Sequence, residues 1–140
     1  MFQHVLVPTD GSKAARRAVE HAIDVVTESG GRLTLLYVVD MGEADFVATP
    51  SDIAETKSRI RNRGETLVGK GCELAAEAGV DCERAVVTGI ADEEIVAYAT
   101  EHDVDVIVMG KHGKRDPDKP FVGNTARRVV RTSPIPVQTV

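Results

Sequence analysis

Tryptophan is absent from this 140-residue chain, and its aromatic residues are three phenylalanines and two tyrosines. A core cannot rest on packed rings here, so it must come from Val, Ile, Leu and Ala. No apolar run approaches the ~20 residues a membrane-spanning helix needs. The opening stretch MFQHVLVPTDGS has no basic region followed by an apolar run of signal length. Neither membrane nor export is expected, and the cytoplasm is the expected location. A basic excess is also missing. The net charge of −5 argues against a general nucleic-acid surface, so nucleic acid is not an expected partner. Cysteine is scarce: Cys72 and Cys82 lack C-x-x-C spacing. Two buried reduced thiols are their expected state, with a single disulfide as the alternative. Internal repeats, low-complexity tracts and Gly/Ser-rich linkers are lacking as well. With 42% apolar and 28% charged residues, the chain reads as one domain over residues 1–140 with a core of its own.

What is present alternates between two periods. Val5–Val7 is a short β-rich run that stops at Pro8. Ser12 has the position of a helix N-cap, and Ala15, Ala18, Val19, Ala22, Ile23 and Val26 then recur at helical spacing. Gly30 and Gly31 end that helix. Leu33–Val39 is nearly continuous apolar sequence, as in a strand buried on both faces. Pro50 and Ser51 open a long polar helix that ends near Gly79, with Ile53, Ile60, Leu67 and Leu74 as its expected apolar seam. A third strand runs from Val80 to Gly89. Asp92 is the expected cap of a helix carrying Ile95, Val96 and Ala99. A fourth strand, VDVIVMG, ends at Gly110. A short helix, TARRVVRTS, and a last strand, PIPVQTV, complete the chain. Strands separated by helices require crossover connections, hence an α/β fold with a parallel sheet covered on both faces. Ligands of such sheets bind beyond the carboxyl ends of the strands, where strand order reverses. The informative loops are those after strands 1, 2 and 4.

Several motifs fail on inspection. GETLVGKG, Gly64–Gly71, nearly spells a P-loop, but Gly71 stands where a magnesium-binding hydroxyl is needed, and the stretch lies within a helical pattern. The Ser29–Gly31 stretch follows a helix, so its amides would face the wrong end of the sheet. The dinucleotide fingerprint is missing from the first turn, and strand 3 supplies no phospho-acceptor aspartate. His4, His21, His102 and His112 show no ligand spacing, so no metal site is expected. His112, between two of the candidate phosphate glycines, is read as a solvent-facing loop residue, with ligand contact as the alternative. Ser12 is read as a cap and not a nucleophile.

GKHGKRDPDKPFVGN, residues 110–124, survives this sorting. It leaves strand 4 and enters the N-terminus of the last helix, where unpaired amides and the helix dipole favour an anion. Gly110 and Gly113 form one wall of a candidate phosphate cradle. Gly123, Asn124 and Thr125 form the other, and residues 114–122 arch between them. Asp116 and Asp118 in that arch read as solvated surface charge, or alternatively as ligands of a magnesium ion carried on the phosphates.

The spacing G-x-x-G, nine residues, G and a small polar residue resembles the ATP-binding subgroup of the universal stress proteins. Further resemblance lies in HVLVPTDGS, LTLLYVVD, DEEIVAYATEHDVDVIVMGKHG and RRVVRTSPIPVQTV, which together span nearly the whole chain outside residues 41–60. The resemblance implies a single-domain, Rossmann-like sheet of five parallel strands in the order 3-2-1-4-5, and a homodimer joined through the last strand. It implies ATP as ligand, with or without magnesium. Pro8, Thr9 and Asp10 would lie beside adenine and ribose, and the Val38 backbone would read the adenine edge. Met109, Gly110, Gly113, Gly123, Asn124 and Thr125 would hold the phosphates. Asn124 departs from the Ser or Thr usual after the third glycine. The expected function is nucleotide-dependent stress sensing or signalling without catalysis. The alternatives are a dimeric protective module that has lost nucleotide binding, and a slow ATPase.

Overall fold

The computed structural model describes residues 2–43, 49–112 and 123–140. In chain order the elements are β1 (His4–Pro8), α1 (Lys13–Ser29), β2 (Arg32–Val39), a single 3-10 turn (Met41–Glu43), α2 (Pro50–Glu77), β3 (Asp81–Thr88), α3 (Ala91–Glu101), β4 (Val106–Met109), α4 (Asn124–Thr132) and β5 (Val137–Thr139). The five strands form one parallel sheet in the order β3-β2-β1-β4-β5, as expected.

The period-2 alternation of the strands divides the core into two layers. Val5, Val7, Leu33, Leu35, Val106 and Val108 face Ala18, Ala22 and Val26 of α1 and Val68 and Ala75 of α2. Leu6, Leu36, Ile107 and Met109 face Ile95 and Ala99 of α3 and Ala126 and Val129 of α4. Helix α1 starts as expected: the Ser12 hydroxyl accepts the Ala15 amide at 3.1 Å. It ends at Gly30, whose φ of 75° is open to glycine at little cost.

Three expectations are corrected. The expected seam is not the buried face of α2: Ile53 and Leu74 are exposed, and Ile60 and Leu67 are only partly buried. The buried face is instead Gly64, Val68, Gly71, Cys72 and Ala75. Its glycines let the helix backbone press onto β2. A Cβ built at Gly64 would lie 2.2 Å from Cδ1 of Tyr37, and one at Gly71 would lie 2.2 Å from Cδ1 of Leu35. The second correction follows from that close seating. Cys72 is brought to the start of β3, where Cys82 pairs in register with Leu33, and the two cysteines form a disulfide with Cα atoms 5.4 Å apart. They are not reduced thiols. Third, Asp92 does not cap α3. The helix has Ile90 at its N-cap, and Asp40, beyond the end of β2, accepts the Ala91 amide at 3.1 Å with Oδ2.

The amino-terminal end of the sheet holds a buried polar pair. His4 Nε2 lies 2.7 Å from the Thr34 hydroxyl, and Nδ1 lies 3.1 Å from the His102 carbonyl. A neutral ring donating from Nδ1 and accepting at Nε2 satisfies both contacts. Burial, aided by the nearby Arg32 guanidinium, pushes the His4 pKa below its ordinary value.

Candidate functional site

A cavity of about 490 Å³ opens at the carboxyl ends of the strands, where strand order reverses between β1 and β4. Its volume suits a small-molecule site, for which roughly 300–1,000 Å³ is usual. Pro8, Thr9, Asp10, Val38, Met109, Gly110, Gly123, Asn124 and Thr125 all line it. Residues far apart in sequence thus meet on one surface. Gly113 and the arch 114–122, including Asp116 and Asp118, lie outside the described residues.

The β1 side is a turn held by its own side chains. Asp10 Oδ1 accepts the Ser12 amide at 2.9 Å, and Gly11 takes a φ of 82°. Beside it, the end of β1 leaves part of β2 uncovered. Pro8 is the last β1 residue in register, opposite Leu36, and the Leu36 carbonyl accepts the Thr9 amide at 2.9 Å. Backbone groups alternate between the two neighbours of a strand. Val39 accordingly turns its carbonyl to Gly89, on the β3 side, at 3.1 Å. The N–H and C=O of Val38 therefore face the gap that β1 has vacated. That edge offers one donor and one acceptor, the pattern needed to pair with the edge of a heteroaromatic base.

The β4 side is tied down by backbone bonds. The Met109 carbonyl accepts the Val140 amide at 2.9 Å, and the Lys111 amide donates to the Val140 carbonyl at 3.0 Å. The Gly123 amide in turn donates to the Lys111 carbonyl, which fixes where α4 begins. Gly123 is its N-cap and supplies no side-chain bond. The first bond within the helix runs from the Arg127 amide to the Gly123 carbonyl at 2.9 Å. The amides of Asn124, Thr125 and Ala126 thus have no partner inside the helix, and these three residues line the cavity. Here the geometry favours an anion. Gly110 has a packing role besides its place on the cavity wall. A Cβ built there would lie 2.7 Å from the Ala14 carbonyl carbon, so its bareness lets α1 approach β4.

Other lining residues escaped the sequence reading. Ile60 and Arg63 reach the cavity from α2, which the two glycines seat against β2. Asp40 forms part of the wall while capping α3. Lys111 and Arg128 add positive charge near the start of α4, and Arg128 lies 3.9 Å from Asp92. His112, expected to face solvent, is partly buried. It lines the cavity, and its Nε2 is buried with no hydrogen-bond partner among the described residues. No group of His, Cys, Asp and Glu among the described residues has the makings of a metal site. None of the described helices is long and apolar enough to cross a membrane.

The sequence pattern of the Universal stress protein family matches residues 1–140. A universal stress protein of Methanothermobacter thermautotrophicus is 32% identical, over 100% of this chain and 96% of its own length. The solved structure of MJ0577, a universal stress protein of Methanocaldococcus jannaschii, superposes with a TM-score of 0.91 at 28% identity, covering 100% of this chain and 96% of that one. A universal stress protein solved in complex with cAMP shares the fold with a TM-score of 0.74 at 24% identity, covering 99% and 97% of the two chains. This chain belongs to the universal stress protein family.

Proposed function

We propose that this protein binds ATP in the strand-end cavity and serves in the cytoplasm as a nucleotide-dependent stress-response module. One observation carries the reading: a base-pairing backbone edge at Val38, a carboxylate at Asp10 and the open amides of α4 all border one cavity. Adenine pairs with the Val38 edge. Asp10 accepts from ribose hydroxyls. The phosphates lie against Gly110 and the first turn of α4, where Asn124 and Thr125 add side-chain donors and Lys111 and Arg128 offset charge. Gly113 belongs to the same cradle by its spacing. A magnesium ion, where present, travels on the phosphates. The cradle is built from amides and cations, which hold a triphosphate without activating a water, so the role is binding and not catalysis.

The homodimer belongs to this reading. Among the described residues β5 has a neighbour on one side only, β4, and its outer edge would pair with a second copy. Light scattering at micromolar protein should give twice the chain mass, and a monomer would count against that assembly. For the ligand, thermal unfolding tests the reading. A ligand at a hundred times its Kd stabilises a fold by about 2.7 kcal/mol. ATP should raise Tm markedly, and adenosine less. The absence of any shift with millimolar ATP would overturn the proposal.

A further inference from the structure

Asn124 occupies the first position of α4 and lines the cavity. A carboxamide there is ambiguous in a way a hydroxyl is not. A hydroxyl rotates to donate wherever an acceptor stands. A carboxamide has one donating end and one accepting end, and half a turn exchanges them. With the amino group facing a phosphate it attracts, and with the oxygen facing it repels. Something must select the orientation.

The structure assigns that selection to Arg127. Its Nη2 donates to Oδ1 of Asn124 at 2.6 Å. Residues three apart share a helix face, so the contact is local to α4. A guanidinium carries donors only and stays charged, so it can hold the oxygen and never the amino group. With Oδ1 engaged by Arg127, the two hydrogens of Nδ2 are left for an acceptor such as a phosphate oxygen. Arg127 itself is not among the described residues that line the cavity, whereas Arg128 is. Arg127 is therefore a positioning residue that acts through Asn124. Its presence also runs against local preference. The first turn of α4 contains no acidic residue, and a cation close behind it opposes the helix dipole. A local rule broken beside a binding cavity is expected where a ligand needs it.

This inference rests on the proposed ATP site and deepens it: the Asn124–Arg127 pair replaces the hydroxyl of the usual cradle and reads the phosphate chain, not the nucleoside. Calorimetric titration of the full chain with ATP and with adenosine tests it, using wild type, Arg127→Ala, Arg127→Lys, Asn124→Ser and the double variant Asn124→Ser/Arg127→Ala. Arg127→Ala should weaken ATP about ten-fold and leave adenosine unchanged, since an oriented donor to a charged acceptor is lost. Arg127→Lys, which keeps a charged donor, should restore most of the affinity. In the Asn124→Ser background, Arg127→Ala should have no further effect, because a hydroxyl needs no orienting. An equal loss in both backgrounds would show that Arg127 acts on phosphate directly and would overturn the inference. So would unchanged ATP affinity in Arg127→Ala. Failure of wild type to bind either compound would instead remove the ATP site itself.

Discussion

Gly110 lies against Ala14 so closely that a Cβ added to it would sit 2.7 Å from the Ala14 carbonyl carbon and 2.8 Å from its Cβ. The first glycine of the proposed cradle is thus also a packing residue, where α1 meets β4. Gly110→Ala is expected to destabilise the fold by about 1–3 kcal/mol, the usual cost of overpacking a tight contact. Urea denaturation measures it. An unchanged midpoint would mean that α1 shifts freely at this point.

The disulfide should contribute visibly to stability. It closes a segment with a sequence separation of 10 between α2 and the edge strand β3. Constraining so short a loop in the unfolded chain is worth about 2–3 kcal/mol. The Cys72→Ala/Cys82→Ala double variant should unfold at correspondingly lower urea. Wild type with reductant should approach the variant, while the variant should not respond to reductant. A thiol assay on unreduced protein should find no free cysteine.

Asp40 and Asp92 offer a paired test of which carboxylate caps α3. Asp40 reaches both the Ala91 amide and, with Oδ1, the Gly42 amide at 3.0 Å. Asp40→Ala should cost about 0.5–2 kcal/mol, the range for a lost cap. Asp92→Ala removes a long contact with Arg128 and one of three acidic groups in the first turn of α3, and should cost less, about 0.3–1 kcal/mol. The reverse order of costs would contradict the assigned cap.

His4 makes stability depend on pH in a defined direction. Its folded pKa is held below the ordinary histidine value of about 6.5 by burial and by Arg32, outweighing the His102 carbonyl, Glu83 and Asp105, which act the other way. The unfolded chain therefore takes up a proton at a pH where the folded chain does not. The stability from neutral His4 is full above about pH 6.5 and is lost as pH falls toward the folded value. Denaturation midpoints measured between about pH 7.5 and 5.5 should fall less steeply in His4→Gln than in wild type. Parallel slopes would exclude His4 as the source.

Much of the fold was legible because strand and helix periods are clean where the core is aliphatic. Val5–Val7, Leu33–Val39 and the stripe from Ala15 to Val26 show this. Helix α2 misled because its core face uses Gly64, Gly71, Cys72 and Ala75, small residues that make a weak apolar signal, while Ile53 and Leu74 look like core and are exposed. The disulfide was hidden for the same reason, since the register of α2 on the sheet brings its two halves together. Asp92 looked like a cap by local position, whereas Asp40 caps from 51 residues away. At the site, glycine spacing and strand-end placement picked out residues that the fold does gather. Ile60 and Arg63 carried no such mark, because only tertiary placement brings them to the cavity, whereas His112 stands inside the glycine stretch and reads first as a surface residue.

Isothermal titration of ATP into wild-type protein tests the central claim most directly. Saturable binding of one nucleotide per chain is predicted, weakened by Asp10→Ala and in competition with adenosine. No detectable heat of binding at millimolar ATP, with and without magnesium, would contradict it.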